Sequence, residues 1–222
     1  MTQPLVTAWS YSRIALWEEC PYKFKLKHID KLKEEQSPAM ARGDKVHKGL
    51  AAHITGEAPM PPEAKPFCGL VAELRTMPAD NRVVEQQWGF NKSWRSVGWF
   101  DKACWVRVIL DAGVVYPDGT ADVVDFKTGK KYGTNADQME LFALATFCRF
   151  PHLSHVTTRL WYLDSGDEDV AEFEQDARSE MIEKWEKRVA PMFADTTFAP
   201  RPNDKCKWCS FSKSKGGPCK FG

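Results

Sequence analysis

The chain has 222 residues, of which 43% are hydrophobic and 27% are charged, and its formal net charge is +1. These values are typical of one large globular domain, and the near-neutral charge gives by itself no sign of a nucleic-acid partner. No apolar run approaches the ~18–20 residues of a membrane span, and the N-terminal residues lack the basic and apolar segments of a signal peptide, so we expect a cytoplasmic protein without a membrane association.

Five segments have the pattern of helices, separated by loops and strands. Ser10 or Ser12 can cap the first segment, which Pro21 kinks or ends, and Asn135 can cap the fourth. The proline-rich residues 55–66 are typical of a loop. The predicted helices span residues 10–29, 40–54, 67–77, 135–150 and 177–193.

Strand-forming residues dominate from about residue 82 to residue 127. Two further strand segments follow the fourth predicted helix. The predicted strands lie within residues 82–90, 96–100, 103–116, 120–128, 155–164 and 169–176. Helices around a central run of strands predict a mixed α/β domain.

The hairpin "ILDAGVVYPDGTADVVDFK" brings two acids and a lysine together. If its turn centres on Asp118, residues whose numbers sum to 236 are opposed, and these include Asp111 and Asp125. Lys127 leaves the strand on the same face as Asp125. Two opposed carboxylates favour a divalent cation, and with the lysine they suit metal-assisted hydrolysis of a phosphodiester. A lone D-x-K also fits a structural salt bridge at a sheet edge.

Four cysteines have the spacing of a metal site. Cys206, Cys209 and Cys219 form a C-x2-C-x9-C pattern near the end of the chain. Three thiols cannot complete a tetrahedral site, and Cys20 is a candidate fourth ligand. Zinc and a 4Fe-4S cluster both suit four thiolates, and the spacing does not separate them.

Four ordered segments resemble the PD-(D/E)XK nuclease superfamily, in particular its RecB-like exonuclease branch, which includes CRISPR adaptation nucleases. "DFKTGK" (125–130) resembles the D-x-K-T-G segment, with Asp111 as the preceding acid. "RGDKVHKGL" (42–50) resembles the helix that carries the metal-site histidine, and "QMELF" (138–142) the Q-x-x-x-Y helix. "SYSRIALWEECPYKFK" (10–25) resembles the N-terminal segment of the branch.

The resemblance implies a restriction-endonuclease-like core with a mixed central sheet flanked by helices, in a single domain over residues 1–222. It implies Mg²⁺ or Mn²⁺ as the catalytic metal. The implied catalytic residues are Asp111, Asp125, Lys127 and Gln138, and the implied metal ligands are His47, Asp111, Asp125 and Glu85.

For the cysteines, the resemblance implies a 4Fe-4S cluster that joins the two chain ends, residues 1–30 and 200–222. The ligands would be Cys20, Cys206, Cys209 and Cys219. Two arrangements of the lysines and aromatic residues of both ends are then open. They form a surface for single-stranded DNA, with phosphates on the cations and bases on the rings, or the rings pack around the cluster and the lysines are solvated. The candidates are Lys23, Lys25, Lys207 and Trp208, interleaved with Tyr22, Phe24 and Phe211.

The function that the resemblance implies is a metal-dependent DNA exonuclease of recombination, repair or phage DNA processing. A separate helicase, single-strand-binding protein or recombinase is a possible partner, because the sequence contains no phosphate-binding loop of an ATPase. Phe142 replaces the tyrosine of the Q-x-x-x-Y pattern. This change leaves open a non-catalytic DNA-end or protein-binding module, and a structure-specific endonuclease is a third hypothesis.

Overall fold

A computed structural model describes residues 5–34, 36–131 and 135–222. Six helices and six strands are numbered here in chain order. The helices are α1 (Tyr11–Glu19), α2 (Pro21–Phe24), α3 (Pro38–Thr55), α4 (Cys68–Thr76), α5 (Ala136–Arg149) and α6 (Arg178–Ala194). The strands are β1 (Arg82–Phe90), β2 (Ser96–Val97), β3 (Val106–Val115), β4 (Thr120–Lys127), β5 (His155–Tyr162) and β6 (Asp167–Glu174). No helix within the described ranges is long and apolar enough to cross a membrane.

The helix predictions are confirmed, with local corrections. Ser10 caps α1 by accepting a hydrogen bond from the backbone N–H of Arg13, and Pro21 opens α2. The chain then forms one π-helical segment, Lys25–Ile29. Asn135 precedes α5, but its side chain makes no capping bond and instead donates to the hydroxyl of Tyr162 at 3.0 Å.

Contacts divide the chain into two compact units, Met1–Ser37 with Trp185–Gly222, and Pro38–Lys184. The second unit contains the whole sheet, in the order β2-β1-β3-β4-β5-β6. Only β4 and β5 are parallel, joined through α5, and the other neighbours are antiparallel. The predicted mixed sheet flanked by helices is therefore confirmed.

The core of the second unit covers both faces of this sheet. Helices α3 and α4 bury one cluster with alternate residues of β3 and β4, including Ala112, Val124 and Phe126. Ala121 and Val123, which alternate with these on β4, are also buried. Helix α5 packs against β3, β4, β5 and β6, and most of its side chains are buried.

The other unit has its own aromatic core. Trp9 stacks on Trp185 with ring centroids 5.4 Å apart, and Phe24 stacks on Phe198 at 6.1 Å. All four side chains are at most 1% exposed. This core packs the beginning of the chain against α6 and the segment that follows it.

Candidate active site

An interruption in the sheet ladder marks the centre of the site. Val84 pairs with Ala112 and Gln86 pairs with Leu110, so the register of β1 against β3 is the same on both sides. Between these pairs, Glu85 has a backbone φ of +47°, in the left-handed region. This conformation costs a residue with a Cβ about 1–2 kcal/mol. Continued across this gap, the same register places Glu85 opposite Asp111.

The neighbouring hairpin has the predicted register. Four pairs from Ala112–Val124 to Val115–Ala121 each sum to 236. At Asp111, the residue before Ala112 in β3, a side-chain contact follows the last pair of the ladder. The Oδ2 of Asp111 accepts the backbone N–H of Phe126 at 2.7 Å. One carboxylate oxygen of this buried acid is thus fixed by the backbone, and the other is directed elsewhere.

His47 approaches that second oxygen from helix α3. Its Nδ1 lies 3.3 Å from Asp111 Oδ1, and its ring packs edge-on against Phe126 with centroids 5.7 Å apart. Ligand atoms of His47, Glu85 and Asp111 all lie within 4.8 Å of one another. An imidazole and two carboxylates are donors that suit a divalent cation, so these three residues fit a metal ion.

Asp125 lies beside this group in a separate interaction with Lys127 and Gln138. Lys127 Nζ is 2.6 Å from Asp125 Oδ2 and donates to Gln138 Oε1 at 2.8 Å. Gln138 Nε2 in turn donates to Asp125 Oδ1 at 3.4 Å. Asp125 Oδ2 is buried and lacks a well-aligned hydrogen bond among the described residues, despite the nearby ammonium. A buried carboxylate oxygen without such a hydrogen bond is suited to binding a cation.

Two buried acids, Asp111 and Asp125, and the more exposed Glu85 set the electrostatics of the site. Burial raises the pKa of Asp125 to about 6; the charge of Asp111 adds to this effect and the ammonium of Lys127 opposes it. Burial and the charge of Asp111 also raise the pKa of Glu85. Burial lowers the pKa of His47, but the hydrogen bond to Asp111 and the surrounding carboxylates outweigh it, so that pKa is raised overall. The negative charge of this group is therefore only partly balanced by the protein.

A second set of contacts, which sequence reasoning did not identify, holds the segment after Lys127. Arg42 of α3 donates two hydrogen bonds to Asp164, at 2.9 and 2.6 Å. The same carboxylate accepts the backbone N–H of Gly129 at 2.7 Å. Arg42 and Asp164 are separated by 122 positions in the chain, so no local pattern pointed to the pair. It fixes the segment after the lysine strand to α3, the helix that carries His47.

The two other acids near the hairpin have structural partners. Asp122 forms an ion pair with Arg159, whose Nε lies 3.7 Å from Oδ2. Asp101 accepts the backbone N–H of Ala103 at 2.7 Å. The structure therefore brings Asp111, rather than these residues, next to His47 and Glu85.

The four predicted cluster cysteines lie in the other unit, around one cleft. Cys20, Cys206, Cys209 and Cys219 all line it, and its empty volume is about 370 Å³. Backbone N–H groups of Arg201 and Asn203 donate to the sulfurs of Cys20 and Cys206, at 3.5 and 3.3 Å. Among the described residues, no three of these sulfurs lie within 4.8 Å of one another. A tetrahedral zinc site with bonds near 2.3 Å would hold them about 3.8 Å apart.

Two of the predicted DNA-binding lysines already have carboxylate partners. Lys23 Nζ lies 3.5 Å from Glu19, and Lys25 Nζ lies 2.6 Å from Asp30. A phosphate contact would compete with these ion pairs.

The aromatic residues predicted beside them differ in exposure. Phe24 and Phe211 are only 1% and 4% exposed, so the expectation that they stack on bases is wrong, because both rings belong to the interior. Trp208 is 66% exposed, and the ammonium of Lys207 lies 4.1 Å from its ring centroid. Contact of Lys23, Lys25, Lys207 and Trp208 with DNA stays a prediction.

Comparison with known proteins gives a family match and structural neighbours, two of which follow. The model of the PD-(D/E)XK nuclease superfamily matches residues 8–214. The crystal structure of SSO0001 is 15% identical, with a TM-score of 0.47, and the match covers 98% of this chain and 89% of that one. A "Putative exonuclease" from Eubacterium rectale is 11% identical, with a TM-score of 0.48, covering 91% and 87%. No curated protein matches the chain.

Proposed function

This chain belongs to the PD-(D/E)XK nuclease superfamily, and we propose that it is a metal-dependent DNA exonuclease that hydrolyses phosphodiester bonds from the ends of single-stranded or resected DNA. The observation that carries the proposal is the convergence of His47, Glu85 and Asp111 within 4.8 Å of one another. The Asp125–Lys127 pair adjoins this group through its charges. A purely structural salt bridge would not need three further ligand groups at the same point.

The metal ligands in this proposal are His47, Glu85 and Asp111, with Asp125 as a further carboxylate. When bound there, Mg²⁺ or Mn²⁺ supplies Lewis acidity that activates water and neutralises charge on the phosphate. Asp111 is suited to its role because the N–H of Phe126 fixes one of its oxygens and the other faces His47, the second proposed ligand. Such an arrangement orients a ligand before the metal arrives.

Lys127 and Gln138 act on the substrate. The lysine side chain is 26% exposed at its end of β4, which is enough for its ammonium to reach a phosphate oxygen. Gln138 accepts from the same ammonium and so restricts its position. As the oxygen of water bonds to phosphorus and the bond to the bridging oxygen breaks, a fixed cation stabilises the charge that develops on the phosphate. The attacking water loses one proton to solvent, and the leaving oxygen takes one proton from solvent.

The experiment compares cleavage of end-labelled linear single- and double-stranded DNA with cleavage of a closed single-stranded circle, in Mg²⁺, in Mn²⁺ and in EDTA. We expect metal-dependent loss of the linear substrates, an intact circle and a decrease of about 10²- to 10³-fold for Lys127→Ala. Lys130→Ala is the matched control, because that lysine is exposed and lies three positions along the chain. Cleavage of the circle would indicate an endonuclease, and no cleavage by the wild type would indicate a binding module.

We further propose that Cys20, Cys206, Cys209 and Cys219 bind a 4Fe-4S cluster. Their common cleft and the two backbone N–H groups directed at sulfur support thiolate ligands. The cluster would have a structural role. Iron and sulfide content, with the visible absorption of the purified protein, tests it against zinc.

The proposed function also implies a cellular process and protein partners. A cytoplasmic enzyme of recombination, repair or phage DNA processing needs its substrate strands separated. The 222 residues contain no phosphate-binding loop of an ATPase, so a separate helicase, single-strand-binding protein or recombinase would supply the resected strand. Co-purification with tagged protein, with and without nuclease digestion, tests for such a partner.

A further inference from the structure

The connection between β1 and β3, residues 91–105 and called the projection below, is held by its own turns and ring contacts. Asn91 closes its first turn, because its Oδ1 accepts the N–H groups of both Ser93 and Arg95, at 2.9 and 3.0 Å. Inside the projection Trp94 is 2% exposed and meets Trp105 edge-on at 5.9 Å. This connection has its own small core and so presents a preformed surface.

At its tip the projection exposes a large aromatic ring. The turn from Gly98 to Asp101 is closed by a backbone hydrogen bond of 3.0 Å. Phe100 lies within that turn and is 88% exposed, more than any other large hydrophobic residue that the structure describes. Its neighbour Trp99 carries the guanidinium of Arg107 at 5.3 Å from the ring centroid. A solvent-exposed ring in a segment that also carries cations is suited to stacking with nucleic-acid bases.

The cations around this projection are not neutralised by acids. Residues 91–107 contain four Lys or Arg and one acid, Asp101. That acid already accepts a backbone N–H in its own turn. The cations on or beside the projection are Lys92, Arg95, Lys102, Arg107 and Arg149. Among the described residues, no carboxylate lies within ion-pairing distance of them, whereas Lys184 and Arg159 elsewhere in the unit each contact two acids. Arg107 Nε is also buried without a hydrogen-bond partner.

A cleft lies between this projection and the part of β1 that follows Glu85. It has an empty volume of about 700 Å³, and Gln86, Gln87, Trp99 and Arg149 are among the residues that line it. The two glutamines directly follow Glu85 on β1. The cleft therefore begins at the residue that follows a proposed metal ligand in β1.

We propose that residues 91–105, with Arg107 and Arg149, form the surface that holds the single strand of DNA being degraded. In this assignment, which rests on the proposed function, a base stacks on Phe100 and the arginines contact phosphates. The cations of this surface favour a polyanion as its ligand. The exposed ring favours a polyanion with unpaired bases, because the bases of a duplex are already stacked on one another. The strand would pass along the cleft toward Glu85.

The test measures binding of fluorescein-labelled oligothymidylate by anisotropy in EDTA, where no cleavage occurs. We expect Phe100→Ala to weaken binding by about 5- to 100-fold, the loss of one base–ring stack, with an unchanged salt dependence. We expect Arg149→Gln to reduce the slope of log K against log salt by about 0.7. Val170→Ala, an exposed apolar residue of β6, and Lys65→Gln, an exposed lysine, are the matched controls.

Two further ligands are compared: a duplex of the same length in the binding assay, and a chromogenic thymidine phosphodiester in a hydrolysis assay. We expect Phe100→Ala to affect the duplex less than the single strand, and to leave hydrolysis of the small diester unchanged. Wild-type affinity in both Phe100→Ala and Arg149→Gln would overturn the assignment. Absence of diester hydrolysis by the wild type would instead count against the proposed function, because the binding measurement does not depend on catalysis.

Discussion

Phe126 connects the core to the candidate metal site, and its replacement by leucine separates two effects. The ring is 1% exposed and makes an edge contact with His47 at 5.7 Å and a tilted contact with Trp161 at 5.9 Å. Each aromatic contact of this kind contributes about 0.5–1.5 kcal/mol. We therefore expect Phe126→Leu to lower the free energy of unfolding by about 1–3 kcal/mol, which for this chain length lowers Tm by roughly 2–12 °C.

The second effect is on metal affinity. Without the ring edge, His47 is no longer held toward Asp111, and loss of such a supporting contact typically weakens metal binding about 10- to 100-fold. Calorimetric titration with Mn²⁺ measures this loss. Phe67→Leu is the matched control, because Phe67 stacks on the same Trp161 at 4.9 Å within the same cluster. That variant should lose stability but retain Mn²⁺ affinity. Unchanged Mn²⁺ affinity in Phe126→Leu, or an equal loss in Phe67→Leu, would refute the reasoning.

Three further predictions concern other parts of the molecule. Gln138→Leu should lower kcat about 10- to 100-fold with little change in Tm, because it removes the acceptor that positions the catalytic ammonium. Cys20→Ser should abolish iron binding and lower the free energy of unfolding by up to about 5 kcal/mol, the closure entropy of a 186-residue loop to Cys206, as measured by iron content and thermal melting. Burial, with two nearby cations, lowers the pKa of His28 from 6.5 to about 4. The unfolded chain therefore binds a proton that the folded chain does not between these values, and stability falls as pH falls through this window. His28→Gln should remove part of this acid sensitivity in melts from pH 7 to pH 4, whereas His152→Gln, at an exposed position, should not.

The hairpin register was predictable because its determinants are local. Alternating apolar residues on both strands and a turn that ends in Gly119, at a φ of +88°, fix the pairing of β3 with β4. Counting outward from Asp118 therefore gave the observed sums. The positions of Asp111, Asp125 and Lys127 on these strands follow from that register.

Other features depend on contacts that a local pattern does not contain. Residues 96–100 have strand-forming character, but only Ser96–Val97 pair, because the chain turns at Gly98 under the Trp94–Trp105 core. Asn135 was expected to cap α5, and it bonds to Tyr162 instead, 27 positions away. The left-handed backbone of Glu85 has no counterpart in the sequence of β1, whose residues favour a regular strand.

The left-handed backbone of Glu85 lowers the stability of the folded chain, whereas the Glu85 carboxylate serves the proposed metal site. A glycine at position 85 would adopt a φ of +47° without steric cost, and the gain of about 1–2 kcal/mol would exceed or match the entropy that glycine loses on folding. Glu85→Gly is therefore expected to melt at or above the wild-type temperature while binding Mn²⁺ more weakly. Glu85 therefore lowers the stability of the folded state relative to glycine. In the proposed site it supplies a carboxylate beside His47 and Asp111.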